Sequence, residues 1–401
     1  MATTTRDSAL TTAAVSTTGT LKRTVQDKVR NLFPGAAKLL ALVSVGEVEA
    51  GELKQQPGMI GKKMTENIKV EGFTYTPLAI TYTVTTLSST TLTLTSSVGL
   101  CAHMTVVNTR NNTCARVDSY TSSTVVEVTS FGGTAFSASA GDVLLAMGPA
   151  YPENSSSPNY IMKDDDNFYN YVQNFRYPTT MSVEAANGAN YGGNLWERQK
   201  KKTMIEGNRR TENTLFFSER ASSGDTTSGG AALTSSFRTT RGCYQWAANS
   251  YNAGGSMTPE RFRYDVVNAM SDVVNDSAKV IMFCGNAIFA QMLEWVNQKL
   301  MITQNGTLEK FGVKSTVFTT HRFDVEVVRH DSFNRGSYAQ RAMLMVPEEW
   351  TYYYFKDEDF SIKKNIQSPS TWGMEDEVRG IVGLCPMDAG QSTLTVTDWN
   401  V

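Results

Sequence analysis

This sequence lacks the signatures by which enzymes and metalloproteins are usually identified. It contains no G-x-S-x-G turn, no phosphate-binding glycine loop, no dinucleotide fingerprint and no CxxC pair. Only three histidines, His103, His321 and His330, occur in 401 residues, and none lies at metal-ligand spacing from a cysteine or another histidine. The sequence therefore offers no catalytic, cofactor-binding or metal-ligating residue, and we expect neither enzymatic activity nor a cofactor.

A charge excess and long apolar runs are also absent. The net charge of −2 argues against a dedicated nucleic-acid-binding protein, because such a protein needs a basic face. No stretch reaches the roughly 18 continuous apolar residues of a membrane helix, and the first residues lack the apolar core of a signal peptide. We expect a soluble protein that makes no membrane contact and is made and kept in the cytoplasm.

The five cysteines form no recognisable framework. Cys284 and Cys385 lie in apolar runs and are predicted to be small buried hydrophobic residues. For Cys101 and Cys114 the sequence leaves two possibilities, a disulfide or two free thiols, because nothing in it indicates an oxidising compartment.

Two charged runs are the remaining candidate sites. The aspartates Asp164–Asp166 are consecutive, so their side chains point apart, which favours turn and capping roles over a metal site. The basic run Lys200–Lys202, with Arg209 and Arg210, has the charge to bind phosphate groups. We favour the solvated face of a helix for this run.

The stretch 194–222 predicts a long polar helix. It has no proline and one internal glycine, Gly207, and glycine or serine breakers flank both of its ends. Opposite charges at a spacing of four residues support an exposed helix: Glu197 with Lys201, and Glu206 with Arg210. At about 1.5 Å per residue the stretch spans roughly 40 Å. Because its apolar residues are few, we expect it to lie across a sheet with one side in water.

Residues 81–130 differ sharply from the rest of the chain. Of these 50 residues 22 are Ser or Thr, and no lysine occurs between Lys69 and Lys163. Apolar residues recur with a period of two, at Tyr82, Val84, Leu92, Leu94, Val106, Val125 or Val126, Val128, Val143 and Leu145. Short strands with closely spaced turns predict a small antiparallel sandwich or barrel over about 81–152. The alternative is a β-rich continuation of the main domain.

The two ends of the chain have different character. Residues 1–19 are rich in Thr, Ala and Ser and have too few apolar side chains to fold alone, which predicts an arm. The second half alternates a helix start at Thr258-Pro259-Glu260, a buried strand at 279–283 and further helices and strands. This order predicts helices that cover a mixed sheet, followed by a terminal strand at 392–401.

The order of these parts resembles the major capsid proteins of tailed bacteriophages, which have the Hong Kong 97-like fold. The likeness is closest to the branch with a β-module inserted in the extended loop. The segments that carry it are NYVQNFRYPTTMSV (170–183), the helix through Glu206-Gly207-Asn208, Arg241-Gly242, KVIMFCGNAIFAQML (279–293), TVFTTHRFDVEVVRHDSF (316–333) and AMLMVPEEW (342–350).

The resemblance implies an α+β fold with named parts. These are an N-terminal arm at 1–56, an extended loop at 57–181 with the β-module at about 81–152, a peripheral domain at 182–255 and 342–384 that contains the helix 194–222, an axial domain at 256–337, and a C-terminal strand at 385–401. Some relatives carry a large scaffolding segment or covalent crosslinks between subunits, and we assign neither.

The resemblance also implies a structural role. We expect a subunit that self-assembles into hexamers and pentamers of an icosahedral or prolate head around double-stranded DNA. The implied partners are portal, scaffolding and decoration proteins, and DNA contacted non-specifically. The implied location is the virion, after assembly in the bacterial cytoplasm. The alternatives are another virion protein, such as a tail tube or decoration protein, and a hydrolase with a β binding module.

Overall fold

The computed structural model describes residues 37–43, 47–49, 52–54, 58–75, 78–151, 153, 164–188, 194–222, 237–271, 274, 278–299, 315–320, 322–370 and 372–400. Most of the predicted N-terminal arm and His321 lie outside these residues. By its internal contacts the chain divides into two compact units, Phe73–Phe168 and the combination of Met1–Gly72 with Tyr169–Val401.

The described strands follow in chain order as β1 (Glu47–Glu49), β2 (Glu52–Lys54), β3 (Gly61–Thr65), β4 (Lys69–Thr74), β5 (Thr81–Ser88), β6 (Thr91–Leu94), β7 (Met104–Asn108), β8 (Cys114–Tyr120), β9 (Val125–Phe131), β10 (Val143–Pro149), β11 (Asp166–Tyr171), β12 (Gln173–Ser182), β13 (Ala221–Ser222), β14 (Arg238–Thr239), β15 (Asn249–Ser256), β16 (Lys279–Cys284), β17 (Ser315–Thr319), β18 (Asp324–Arg329), β19 (Ala342–Met345), β20 (Trp350–Phe355), β21 (Ser361–Lys363), β22 (Gly373–Pro386) and β23 (Thr393–Asn400).

The described helices are α1 (Val183–Asn187), α2 (Leu195–Phe217), α3 (Cys243–Trp246), α4 (Pro259–Arg261), α5 (Val267–Ser271) and α6 (Asn286–Lys299). A π-helical turn at Phe262–Val266 joins α4 to α5. Short 3₁₀ turns occur at Leu40–Leu42, Asp331–Asn334, Gly336–Gln340 and Pro347–Glu349.

The smaller unit is a closed antiparallel barrel with the strand order β10-β5-β6-β9-β8-β7. Its core consists of Tyr82, Val84, Leu92, Leu94, Leu100, Val106, Ala115, Val117, Val126, Val128, Phe136 and Leu144. Closure leaves no strand edge unpaired, which lets a small all-β unit avoid edge-to-edge pairing with other chains. The predicted small antiparallel β-module is confirmed. The alternative of a β-rich continuation of the main domain is wrong, because these strands pack around a core of their own.

The prediction that Val143 and Leu145 of β10 are the core-facing residues is wrong. Val143 is exposed and Leu145 is half-buried, whereas Leu144 is fully buried in the barrel. Because three apolar residues follow one another here, a period of two does not decide which of them face the core. The tertiary structure decides it through Asp142, whose carboxylate accepts hydrogen bonds from Asn108 Nδ2 and from the backbone N–H of Ser139, each at 2.9 Å.

A five-stranded sheet in the larger unit has the order β12-β22-β20-β3, with β21 also paired to β22. Strands β12 and β22 are antiparallel in unbroken register from the pair Gln173 and Val382 to the pair Ser182 and Gly373. Strand β3 runs parallel to β20. The long helix α2 packs against β12 and β22, so the prediction of a helix lying across a sheet is confirmed.

A six-stranded sheet in the same unit has the order β15-β23-β19-β16-β18-β17. Its core side chains include Phe262, Val266, Met270, Ile288, Met292, Trp295 and Trp399 from the helices and from β23. The parallel pairing of β16 with β18 requires a long crossover connection, and α6 lies in that connection. The predicted mixed α/β layer is therefore confirmed.

Two strands of this sheet cross the domain borders that the resemblance implies. Strands β15 and β19 were expected in the peripheral domain, yet they share the six-stranded sheet with β16 to β18. A border at 255/256 or at 341/342 would therefore cut a sheet. The reason is that β19 pairs with β16, and β23 pairs with both β19 and β15.

Helix α2 ends at Phe217, earlier than the predicted Ser222. Ser218 is already extended, with φ −67° and ψ 149°, and its carbonyl accepts a hydrogen bond from Gly242 N at 2.7 Å. A Cβ on Gly242 would lie 2.4 Å from the backbone carbon of Phe216, so only glycine allows this close approach. The contact with Gly242 is non-local, and helix propensity alone did not reveal it.

Candidate assembly surfaces

The buried face of α2 is fixed by its cap and by one close contact. The Asn194 side chain accepts hydrogen bonds from Trp196 N at 3.0 Å and Glu197 N at 3.3 Å, which satisfies two free donors at the helix start. Further along, a Cβ on Gly207 would lie 2.8 Å from Cδ2 of Tyr177. The only glycine inside the helix therefore lies where the Tyr177 ring of β12 packs against it.

A buried polar junction lies near the C-terminal end of α2. Glu212 accepts a hydrogen bond from the backbone N–H of Leu39 at 2.5 Å, and its second oxygen lies 3.2 Å from Nε2 of His330. The Nδ1 atom of His330 accepts the N–H of Ser332 at 3.2 Å, so Nε2 carries the proton and donates to Glu212. Three separate segments therefore meet at one carboxylate.

Aromatic packing surrounds this junction. The ring of His330 lies 4.8 Å from the Phe216 ring and 6.2 to 6.3 Å from the rings of Phe333 and Phe283, centroid to centroid. Nearby, Lys38 Nζ donates to the carbonyl of Arg329. Burial, and after it the Arg329 cation, lower the pKa of Lys38. Lys38 and Leu39 thus hold their segment of the chain against β18 and α2.

The basic run of α2 divides into engaged and exposed residues. Lys200 Nζ lies 2.7 Å from Glu197, 3.4 Å from Asp376 and 5.3 Å from the centre of the Trp196 ring, and the hydrogen bond to Glu197 raises its pKa. The expected pair of Glu197 with Lys201 is therefore wrong, because Lys200 is the lysine that can also reach the sheet. Lys201 and Lys202 are exposed. The expected pair of Glu206 with Arg210 is present at 3.9 Å.

A groove of about 350 Å³ runs between α2 and the strands β21 and β22. Its apolar lining comes from Met204, Ile362 and Val378. Its charged lining has three lysines and three acids: Lys200, Lys201, Lys364, Glu197, Asp376 and Glu377. At the same end of the sheet, Trp372 precedes β22 and is 80% exposed. An apolar groove and an unburied tryptophan are features of a surface that meets another protein.

The other sequence candidates are not among the residues that line the groove. Asp164, Asp165 and Asp166 are exposed, and no group of three or more His, Cys, Asp or Glu residues suited to a metal is found among the described residues. His103 belongs to the barrel, where its ring centre lies 5.3 Å from that of Tyr151. His321 lies outside the described residues.

All five cysteines are free thiols, so of the two possibilities for Cys101 and Cys114 the disulfide is not formed. Cys284 and Cys385 are buried as predicted, and burial raises the pKa of each to about 12. None of the helices in the part of the chain that the structure describes has both the length and the apolar character to cross a membrane.

Sequence reasoning missed the polar junction and the exposed tryptophan. One signal for Glu212 was present, because it lies three and four residues before Leu215 and Phe216 and therefore shares their apolar helix face. A carboxylate on such a face needs buried partners. Nothing in the local pattern marked Trp372 as exposed, because exposure depends on the path of the whole 364–372 connection.

The described chain thus combines a long polar helix on a sheet, a separate barrel and large apolar side chains left exposed. The family described as SU10 major capsid protein matches residues 7–369. The chain belongs to this family and is a structural subunit of a phage-head shell. The resemblance to the tailed-phage capsid proteins is confirmed, and the alternative of a tail tube or decoration protein is set aside.

Solved structures resemble the chain at low sequence identity. The capsid of the native GTA particle is 8% identical, with 98% of this chain and 100% of that chain covered and a TM-score of 0.48. A structure of Gordonia phage Cozz is 9% identical, with 98% of each chain covered and a TM-score of 0.45. The capsid of Myoviridae phage XM1 is 11% identical, with 62% and 81% covered and a TM-score of 0.41. Among curated proteins, none matches the chain significantly.

Proposed function

We propose that copies of this chain form hexamers and pentamers that close into the icosahedral or prolate head of a tailed bacteriophage and enclose its double-stranded DNA. The match of residues 7–369 to a major capsid protein family carries this proposal. A closed shell is built by repeating a few contacts whose geometry must close. The surfaces described above supply apolar area for such contacts.

The extended loop and the arm are proposed to lap over neighbouring subunits. Three large hydrophobic side chains of the 57–181 segment, Phe73, Tyr75 and Ile80, are each 64% exposed or more. Exposed apolar side chains this close in sequence gain free energy when a second chain covers them. We assign 1–56 to the arm and 57–181 to the loop, whose first and last strands, β3 and β12, join the five-stranded sheet of the peripheral domain. The six-stranded sheet is assigned to the axial domain.

The charge of the chain suits a shell around DNA. A lining that bound phosphates through many lysines and arginines would hold its cargo tightly and with a strong salt dependence. With a net charge of −2, the chain instead favours weak and non-specific contact with the packaged DNA. Portal, scaffolding and decoration proteins are the further partners, and assembly takes place in the host cytoplasm.

We assign the chain no enzymatic activity. Support comes from the described residues, in which the buried His330 and Glu212 are occupied with each other and with the backbone N–H groups of Ser332 and Leu39. The hydrolase alternative would need a nucleophile and a base that share an open pocket. The groove between α2 and the sheet is lined by lysines, acids and apolar residues, with no serine, cysteine or histidine.

The proposal is tested by expressing the full chain and measuring its size by size-exclusion chromatography and electron microscopy. We expect hexamers and pentamers or megadalton shells, with closed particles visible by negative stain. A monomer or small oligomer at all concentrations and salt conditions, also in the presence of co-expressed scaffolding protein, would contradict the proposal.

A further inference from the structure

Helix α2 carries more positive charge than its own acids balance. It contains six basic and three acidic residues, whereas the whole chain has a net charge of −2. Each acid of the helix already has a partner: Glu197 with Lys200 at 2.7 Å, Glu206 with Arg210 at 3.9 Å and Glu212 with His330 at 3.2 Å. Lys201, Lys202 and Arg209 remain without an ion pair among the described residues.

Lys202 and Arg209 lie on the side of α2 that turns away from the five-stranded sheet. Gly207 marks the side that faces the sheet, because it packs against the ring of Tyr177 in β12. With 3.6 residues per turn, Lys202 and Arg209 are rotated from Gly207 by about 140° and about 160° around the helix axis. Lys202 is exposed and Arg209 is half-buried. Lys201 is exposed next to them, at the edge of the groove.

The acids of the sheet do not neutralise these cations. Asp376 and Glu377 line the groove together with Lys201, but their side chains are only 7% and 3% exposed. Asp376 lies 3.4 Å from Lys200, and Glu377 is held by two arginines, at 2.5 Å and 2.7 Å. Each of these carboxylates is therefore met by another cation, and the solvent side of α2 keeps its positive excess.

This side of α2 suits a polyanion better than an apolar partner. Ile205, 37% exposed, is the large hydrophobic residue between Lys202 and Arg209. A helix that lies on a membrane needs a broad apolar face, and a protein contact is centred on aromatic or apolar anchors. Lys202 and Arg209 are two turns apart, about 10.5 Å along the axis, and a DNA strand carries one phosphate about every 3.4 Å. The two cations therefore match phosphates about three nucleotides apart.

We propose that Lys201, Lys202 and Arg209 form the contact between each shell subunit and the phosphate backbone of the packaged duplex DNA, so that this side of α2 faces the interior of the shell. The contact rests on the proposed function, because it names the residues through which the shell meets its genome. Three cations per subunit give a weak contact that is independent of sequence and that salt releases. The unit Phe73–Phe168 has three basic and seven acidic residues, so we expect no such contact there.

The first test measures the binding of a fluorescent duplex of about 30 bp to unassembled subunits between about 50 and 200 mM salt. The triple variant Lys201→Gln/Lys202→Gln/Arg209→Gln is expected to bind about tenfold or more weakly at the lowest salt. The slope of log K against log salt is expected to become shallower by about 2.7, since each phosphate contact contributes about 0.9. Wild type that binds no duplex at the lowest salt would overturn the inference.

A matched control removes three positive charges elsewhere. Lys69→Gln/Arg110→Gln/Lys356→Gln changes exposed cations that are paired with acids, and it is expected to keep the wild-type slope. Equal slopes for the two triple variants would show that net charge alone matters and would overturn the inference. The exchange Lys201→Arg/Lys202→Arg/Arg209→Lys retains the charges and is expected to retain the binding. Melting temperatures check folding, and all variants are expected to unfold as wild type does.

The second test compares lysine acetylation in DNA-filled and emptied heads by mass spectrometry. Lys201 and Lys202 are expected to react several-fold less in filled heads, while Lys356 reacts equally in both. Equal reactivity of Lys201 and Lys202 in the two kinds of head would overturn the inference, also where both are protected, because a protein segment then covers them. A glutamine triple variant that loses binding to poly-glutamate but keeps binding to duplex would assign the surface to an acidic protein instead. Wild type that forms no shell would refute the proposed function, whereas the other outcomes refute only the DNA contact.

Discussion

Glu212 and His330 meet inside the protein, with 3.2 Å between Oε2 and Nε2 and both side chains 5% exposed or less. The other carboxylate oxygen accepts the backbone N–H of Leu39 at 2.5 Å. One residue of α2 thus satisfies two buried donors from distant parts of the chain. Such a network holds three segments in one arrangement, because an unmatched buried donor is costly.

Replacing Glu212 with Ala is expected to destabilise the unassembled subunit strongly. Two buried donors lose their acceptor, at a cost of about 1–3 kcal/mol each. Glu212→Gln retains one oxygen and is expected to lose less. Urea denaturation measures the change, with Glu206→Ala as the control, since that carboxylate is exposed and its pair contributes well under about 1 kcal/mol. Equal effects of the two alanine variants would contradict the role of the junction.

Gly207→Ala is expected to destabilise the subunit despite the better helix propensity of alanine. The added Cβ would lie 2.8 Å from Cδ2 of Tyr177, and overpacking of this kind costs about 1–3 kcal/mol against a propensity gain of about 1 kcal/mol. A double-mutant cycle with Tyr177→Ala checks the cause. If the close contact is responsible, the substitution at Gly207 costs less when the tyrosine ring is absent.

Thr203→Pro is expected to disrupt the middle of α2 and to prevent assembly. Proline removes a helix hydrogen bond and clashes with the preceding turn, which costs about 3 kcal/mol or more. Lys201→Ala, at an exposed neighbouring position, is the control and is expected to change stability little. Helix content by circular dichroism and particle yield are the measurements. Normal shells from the proline variant would show that an intact α2 is not required.

Acid is expected to weaken the five-stranded sheet through Glu377. Hydrogen bonds from Arg176 at 2.5 Å, and then from Arg379 at 2.7 Å, lower the pKa of this buried carboxyl below its ordinary value of about 4.5. A carboxyl with a lowered folded-state pKa stabilises the fold above its unfolded-state pKa, and this stability disappears as the pH falls through the folded-state pKa.

The test of this pH dependence is the free energy of unfolding measured from about pH 6 down to about pH 3. Glu377→Gln is expected to be less stable than wild type near neutral pH and to lose less further stability in acid. Glu71→Gln, at an exposed position, is the control. Parallel pH profiles for wild type and Glu377→Gln would contradict the assignment.

The barrel is expected to resist trypsin as a unit. No lysine occurs between Lys69 and Lys163, and the two arginines of the barrel strands and turns are held by ion pairs, Arg110 with Asp142 at 3.2 Å and Arg116 with Asp118 at 2.8 Å. Mass spectrometry should find cuts near Lys69 or Lys163 before any at the arginines. Leu144→Asp, which places a charge in the core, should expose both arginines to rapid cleavage.

The sequence alone determined the types and the order of the elements. Local signals were sufficient for the period-two strands of the barrel, for the capped start at Thr258 and for the long polar helix, because each depends on neighbours in the chain. These signals, taken in order, also carried the resemblance to the capsid proteins. The functional class followed from that order, since no single motif was needed for it.

The tertiary structure decided what local patterns leave open. The parity of β10 depends on Asn108 holding Asp142, the end of α2 depends on Gly242, and the role of Glu212 depends on Leu39 and His330. The pairing of β19 with β16, and the placement of β23 between β15 and β19, unite in one sheet strands that the resemblance assigned to the peripheral and axial domains. All of these contacts join residues that are far apart in the chain. The order of residues along the chain does not specify which of them pair, because distant residues meet only when the backbone folds.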